Sequence, residues 1–91
     1  MQGRVFLTLP TNSNILSSIH TDDNEFHLVC LYYVNDSDGD TIFYEDDKVT
    51  ERKRVSPKKG RIAFFHGGIP HCASSPTTNP RFIVNFNFLS E

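Results

Sequence analysis

No run of apolar residues in this chain approaches the roughly 18 that a membrane-crossing helix needs. The opening MQGRVFLTLP lacks the longer apolar stretch and cleavage region of a secretory signal. Cysteine is scarce: Cys30 and Cys72 are the only two, and neither their number nor their spacing builds a disulfide framework. Reduced thiols in a cytoplasmic protein are the plainer reading. A strong charge is missing too. The net charge of -2 argues against a nucleic-acid surface and against a membrane-surface role. There is no good helical pattern, no internal repeat and no low-complexity tract. At 91 residues, the chain has room for one domain, 1–91, with one modest core. A chain of that size buries only about 60–65% of its extended surface.

What the chain does have is aromatic and β-forming residues, with eight Phe and three Tyr. Phe6 to Leu9 reads as a first strand ended by Pro10, and Ile15 to His20 as a short second one. Phe26 to Val34 is the strongest strand, rich in aromatic and β-branched residues. The turn Asn35 to Asp40 carries several side chains able to cap their own backbone. Thr41 to Tyr44 and Val49 to Val55 follow, separated by Glu45-Asp46-Asp47. The turn Pro57 to Gly60 leads into Arg61 to His66, which Gly67-Gly68 breaks. Ile69 to Ser74 resumes the strand, and Arg81 to Leu89 closes the chain. Seven or eight short strands at roughly 8–12-residue spacing imply an all-β sandwich or jelly roll.

Charge and polarity are unevenly placed. From Asp22 to Asp47 there are nine acidic residues and no Lys or Arg; from Lys48 to Arg61 there are seven basic residues and one acid, Glu51. These segments are either solvated strand edges and turns or, for the second, a basic lip that draws in an anion. In the last strand Phe82, Val84, Phe86 and Phe88 alternate onto one face, and Arg81, Ile83, Asn85 and Asn87 onto the other. If Arg81 points inward, the Phe stripe points outward. Such a surface calls for cover: a helical layer, an N-terminal support segment outside this chain, or a homo-oligomer through Phe82, Phe86 and Phe88.

His20-Thr21-Asp22 places an imidazole and a carboxylate two apart, on one side of an extended segment. His71 follows 48 residues beyond Asp22, and Arg81 ten residues after that. Two imidazoles and one carboxylate bind one face of a divalent iron and leave three positions exchangeable, a donor set suited to oxygen chemistry. A 2-oxoacid can chelate two of those positions, and the planar fork of Arg81 suits its distal carboxylate. Tyr32 is the favoured hydroxyl donor to that cosubstrate, with packing as the alternative for either Tyr32 or Tyr33. His27 and His66 read as non-ligands and Cys30 as core filling. Cys72 should face away from His71, and Gly67-Gly68 serves as a bend or bulge that aims His71.

With these motifs in view, the chain resembles the iron(II)/2-oxoglutarate-dependent dioxygenases, specifically the prolyl 4-hydroxylase-like branch and its small phage-type relatives. The resemblance runs from about Ile15 to Phe88. His20-Thr21-Asp22 is similar to the family's His-x-Asp motif. Leu31 to Asn35 with Asp38-Gly39-Asp40-Thr41 is similar to its tyrosine-leucine-asparagine strand and Gly-Gly-Glu-Thr turn, with Asp at two turn positions. Ser56 to Arg61 resembles its Pro-x-x-Gly turn. The resemblance implies a double-stranded β-helix with little or no helical support layer. It implies Fe(II) held by His20, Asp22 and His71, and 2-oxoglutarate held by Arg81. The activity it implies is hydroxylation of a peptide or small molecule by O2, yielding succinate and CO2, with ascorbate as a reductant. The location it implies is cytoplasmic, a host cytoplasm included. Relatives carry N-terminal elements ahead of the His-x-Asp motif, whereas 19 residues precede His20 here. The competing reading is a non-catalytic cupin-like or jelly-roll module that binds a metal or ligand, or an assembly protein that uses the Phe face.

Overall fold

The computed structural model describes residues 2–21 and 27–89. These form seven strands: β1 (Gln2–Thr8), β2 (His27–Tyr33), β3 (Thr41–Tyr44), β4 (Glu51–Val55), β5 (Ile62–His66), β6 (His71–Ala73) and β7 (Arg81–Leu89). All pairing is antiparallel, in a four-stranded sheet of order β1-β7-β2-β5 and a three-stranded sheet of order β4-β3-β6. Among the described residues no helix is long and apolar enough to cross a membrane.

The all-β expectation agrees with this, but the double-stranded β-helix does not. Both sheets are open, and neither curls into a barrel. Closure requires every edge strand to find a partner. Among the described residues β4 pairs only with β3, and β5 pairs only with β2. The segment expected as a strand over 15–20 makes just two isolated bridges, Leu16 to Ser74 and His20 to His71. It flanks β6 without forming a continuous ladder. The architecture is therefore two open sheets facing each other across one core.

That core follows from the period of two along each strand. Val29, Leu31 and Tyr33 point inward from β2, and they meet Phe65 of β5, Ile83 of β7 and Phe43 of β3. Fully burying side chains of this size contributes about 1.5–3 kcal/mol each. The other face of β3 builds a smaller cluster of Ile42, Tyr44 and Cys72, with Ile19 packed against it. All four residues of β3 are thus buried, which is why so short a strand can centre its sheet. Cys30 and Cys72 are both buried free thiols.

The outer face of the four-stranded sheet is apolar. Cross-strand register places Tyr32 between Val84 and Ile62, and Cys30 between Phe86 and Phe64. Phe82 and Phe88 turn outward, and Val5 and Phe64 are 70% and 62% exposed.

Two turns carry the connections that hold the sheets in register. In the turn before β3, Asp38 accepts hydrogen bonds from the backbone N–H and hydroxyl of Thr77 and from the N–H of Thr78. This pins the loop before β7. A Cβ at Gly39 would lie 2.7 Å from the Ser74 carbonyl oxygen, 2.8 Å from Arg81 Nη1 and 2.9 Å from the Pro76 nitrogen. Only glycine fits there. Gly60, with φ +83°, occupies the left-handed region that closes the turn into β5.

The Thr77 contacts hold the Asp38 carboxyl down at about 2, against an ordinary value of 3.8. A depressed carboxylate stabilises the fold above its unfolded pKa and loses that contribution as pH falls through the folded one. Asp38→Asn should therefore melt below the parent at pH 6, and the gap should shrink between pH 4 and pH 2. A gap that stays constant in thermal melts across this range would detach the effect from the carboxylate. Gly39→Ala should cost about 1–3 kcal/mol by overpacking. Gly68→Ala, where a Cβ would meet only His66 Nδ1 at 3.5 Å, should change stability little. Denaturant unfolding of the pair checks the contrast.

Candidate metal and ligand site

The structure brings His20 and His71 together by backbone pairing. Each donates its N–H to the other's carbonyl at 2.9 Å, so the two residues face one another across an antiparallel bridge. Their ring centroids lie 4.5 Å apart, with the planes inclined at 57°. His71 is buried and His20 exposed. The imidazole of His71 packs edge-on to Phe65, with centroids 5.0 Å apart, and Phe65 in turn packs edge-on to Phe43 at 4.8 Å.

Each imidazole is oriented by the backbone beside it. His20 Nδ1 lies 3.0 Å from the Ser18 carbonyl, and His71 Nδ1 lies 2.8 Å from the Ile69 carbonyl. A carbonyl oxygen can only accept, so Nδ1 carries the proton and Nε2 the lone pair in the neutral ring. Histidines that bind metals are commonly fixed in this way. The donor chemistry of the pair thus fits a divalent transition metal. Asp22, the carboxylate expected to complete the set, lies outside the described residues. Among those described, no group of three or more His, Cys, Asp and Glu side chains converges on one point.

Arg81 enters from the first residue of β7 and is buried, at 7% exposure. Its Nη1 donates to the carbonyls of Gly39 at 2.9 Å and Ser74 at 2.8 Å, and its Nη2 to the Thr8 hydroxyl at 3.2 Å. Burial pushes the guanidinium below its ordinary value, partly opposed by Tyr33 and Asp40 nearby. The distal carboxylate expected as its partner thus meets competition. Protein acceptors already occupy both terminal nitrogens, and they join β1, the turn before β3 and the end of β6.

The structure sets the two tyrosines on opposite faces of β2. Tyr32 stands on the outer face of β2, opposite Ile62 and Val84. Tyr33 faces inward, fully buried, with its hydroxyl 2.8 Å from the Thr41 hydroxyl. Burial raises the Tyr33 phenol, opposed by the Thr41 hydrogen bond and the Arg81 charge. The side chain that shares Arg81's face is therefore Tyr33. Strand alternation puts the two tyrosines on opposite faces, and the register then sets Tyr33 opposite Ile83, two residues along β7 from Arg81. Thr41 gave no such signal, because its part depends on how the two sheets stack. Asn85 and Asn87, on the same face of β7, hydrogen bond to each other at 3.0 Å.

His66 projects its Nδ1 toward the Gly68 N–H at 3.3 Å, a local turn contact. Cys72 faces away from His71, with its sulfur 3.5 Å from the Tyr44 hydroxyl. The Gly67-Gly68 break sits where β5 ends, and the Ile69 N–H bonds back to the His66 carbonyl at 3.0 Å. The chain thereby reverses between β5 and β6, which delivers His71 beside His20.

Comparison with known proteins gives one result that covers most of the chain. The family model of the 2OG-Fe(II) oxygenase superfamily matches residues 12–89, a span that contains His20, Asp22, His71 and Arg81. No curated protein and no solved structure matches. The match takes in every described strand except β1, along with the bridge that joins the two histidines, and the chain belongs to the 2OG-Fe(II) oxygenase superfamily.

Proposed function

We propose that this domain is a metal- and ligand-binding module of the superfamily, taking a divalent transition metal at His20 and His71 with Asp22 as third ligand. The observation that carries the reading is the His20–His71 bridge, with each Nδ1 held by a backbone carbonyl. That arrangement fixes both rings before any metal arrives, which reduces the ordering cost of binding. Arg81 has a structural part in this reading, because its terminal nitrogens are engaged by Gly39, Ser74 and Thr8.

The second reading is full Fe(II)- and 2-oxoglutarate-dependent hydroxylation of a peptide or small molecule. Family membership favours it. Here O2 would be the oxidant for C–H hydroxylation, bound and activated at the iron, and 2-oxoglutarate would supply two of the four electrons on its way to succinate and CO2. In this reading Arg81 exchanges its longest contact, the 3.2 Å bond to Thr8, for the cosubstrate carboxylate. Tyr33 and Thr41 then line the same polar interior. The finer resemblance to prolyl 4-hydroxylase-like and phage-type enzymes rests on the sequence motifs alone.

Anaerobic titration should show one Fe(II) per chain, weakened by more than about 100-fold in His71→Ala and in Asp22→Ala. Equal affinity in the parent and His71→Ala would remove the proposed centre. The two readings separate in a turnover assay with iron, ascorbate, oxygen and 2-oxoglutarate. The module reading expects no His71-dependent succinate. Succinate that disappears in His71→Ala and grows in Thr8→Ala would establish the enzyme reading in its place.

A further inference from the structure

The two open sheet edges leave a cleft between β4 and β5 of about 550 Å3. That volume lies within the range of sites that hold small ligands or short peptide segments. Its floor is apolar, made by Phe43, Val55, Ala63, Phe65 and Ile69. Its rim is basic, with Arg52, Lys53, Arg54 and Arg61 and no acidic side chain. Strand register explains the mixture. Lys53 lies directly opposite Phe43, and Val55 opposite Thr41, so a lysine occupies an inward position of β4. Phe65 and Ala63 point inward from β5 opposite Val29 and Leu31, and Arg61 precedes Ala63 by two residues. The pairing of β3 with β4 shifts register between Phe43 and Tyr44, which inserts Arg52 into the strand beside the cleft.

The charges on this rim are unequally matched. Arg54 pairs with Glu51 at 2.8 Å and lies 3.7 Å from Asp40. Arg61 donates to the neutral Ser56 carbonyl at 2.7 Å, which leaves its charge uncompensated. Arg52 and Lys53 make no ion pair among the described residues. Three positive charges thus border an apolar floor in a chain whose net charge is negative.

We propose that this cleft binds an extended acidic peptide, whose backbone adds to the open edge of β4 or β5 while its acidic side chains meet Arg52, Lys53 and Arg61. Three features point to that occupant. Unpaired strand edges offer backbone donors and acceptors in a row, which an extended chain satisfies and a compact ligand does not. Alternate side chains of such a peptide point in opposite directions, so apolar residues reach Phe43 and Phe65 while acids reach the rim. The charged patch is short and its fourth cation is neutralised, which suits a few carboxylates rather than a continuous phosphate backbone. The Phe43–Phe65 pair forms the cleft floor on one side and packs against His71 on the other. A bound peptide would thus lie one aromatic layer from the imidazole pair. Its binding nevertheless needs no metal.

The test uses the whole chain and a fluorescein-labelled, end-capped octapeptide alternating Glu and Val, read by fluorescence anisotropy at low and high salt. Two or more screened charge contacts should make the Glu peptide bind roughly ten-fold tighter than its Gln counterpart, and salt should erase the difference. The double variant Lys53→Gln/Arg61→Gln should lose the Glu preference and keep the metal titration of the parent. N-methylation of alternate peptide amides should abolish binding, because it removes the edge hydrogen bonds. Any of three results would overturn the proposal: equal affinity for Glu and Gln peptides, undiminished binding of the N-methylated peptide, or equal binding by a single-stranded oligonucleotide of the same length. Since the Gln and N-methyl controls alter only the peptide, a folding defect in the variant cannot imitate them. Failure here with metal binding intact would leave the reading of the histidine pair unaffected.

Discussion

A buried guanidinium is the constraint on which the rest of this small fold depends. Taking Arg81 out of water is costly unless its donors are met. Three of those donors are met by two backbone carbonyls and one hydroxyl, drawn from three different parts of the chain. The Gly39 carbonyl fixes the turn before β3, the Ser74 carbonyl fixes the end of β6, and Thr8 fixes the end of β1. Through them one side chain of the four-stranded sheet holds the central strand and one edge strand of the three-stranded sheet. Gly39 is the steric counterpart of this clamp, since any side chain there would strike Arg81 and the backbone at Ser74 and Pro76.

The imidazole pair is downstream of that clamp. β6 is only three residues long, and its position comes from β3 on one side and the bridges to Leu16 and His20 on the other. His71 is therefore placed by pairing on both of its flanks, and its ring is set by the Ile69 carbonyl. Phe65 and Phe43 back it from the core side. The same two aromatics floor the cleft between the sheets, so the proposed metal and peptide sites share a wall. A change that repacks Phe65 would be felt at both.

Much of the strand pattern was legible from alternation and turn chemistry. Thr41–Tyr44 and Arg81–Leu89 appear with the bounds expected, and the inward set Arg81, Ile83, Asn85 and Asn87 follows directly from the period of two. The segment 15–20 was less legible. Its apolar residues suggested a strand, yet Ile15, Leu16 and the serines around them remain exposed, and only Leu16 and His20 bridge. β1 also begins earlier than Phe6, because pairing with β7 runs as far as Gln2 against Asn87. Local composition has no access to the length of a distant partner strand.

Sequence by itself determined the all-β class, the two alternating faces of the last strand and His20, Asp22 and His71 as candidate ligands. These depend on side-chain identity and on a two-residue period, both local properties. Tertiary structure alone decided that the sheets stay open, because closure turns on whether β4 and β5 find each other across the core. It alone decided that Tyr33 shares Arg81's face, since alternation separates two tyrosines without saying which side is inside. It also decided that Arg81 spends its hydrogen bonds on Gly39, Ser74 and Thr8. Those partners are 42, 7 and 73 residues away along the chain; pairing of β1 with β7 sets Thr8 beside Arg81, and the stacking of the two sheets brings Gly39 and Ser74 to the same guanidinium.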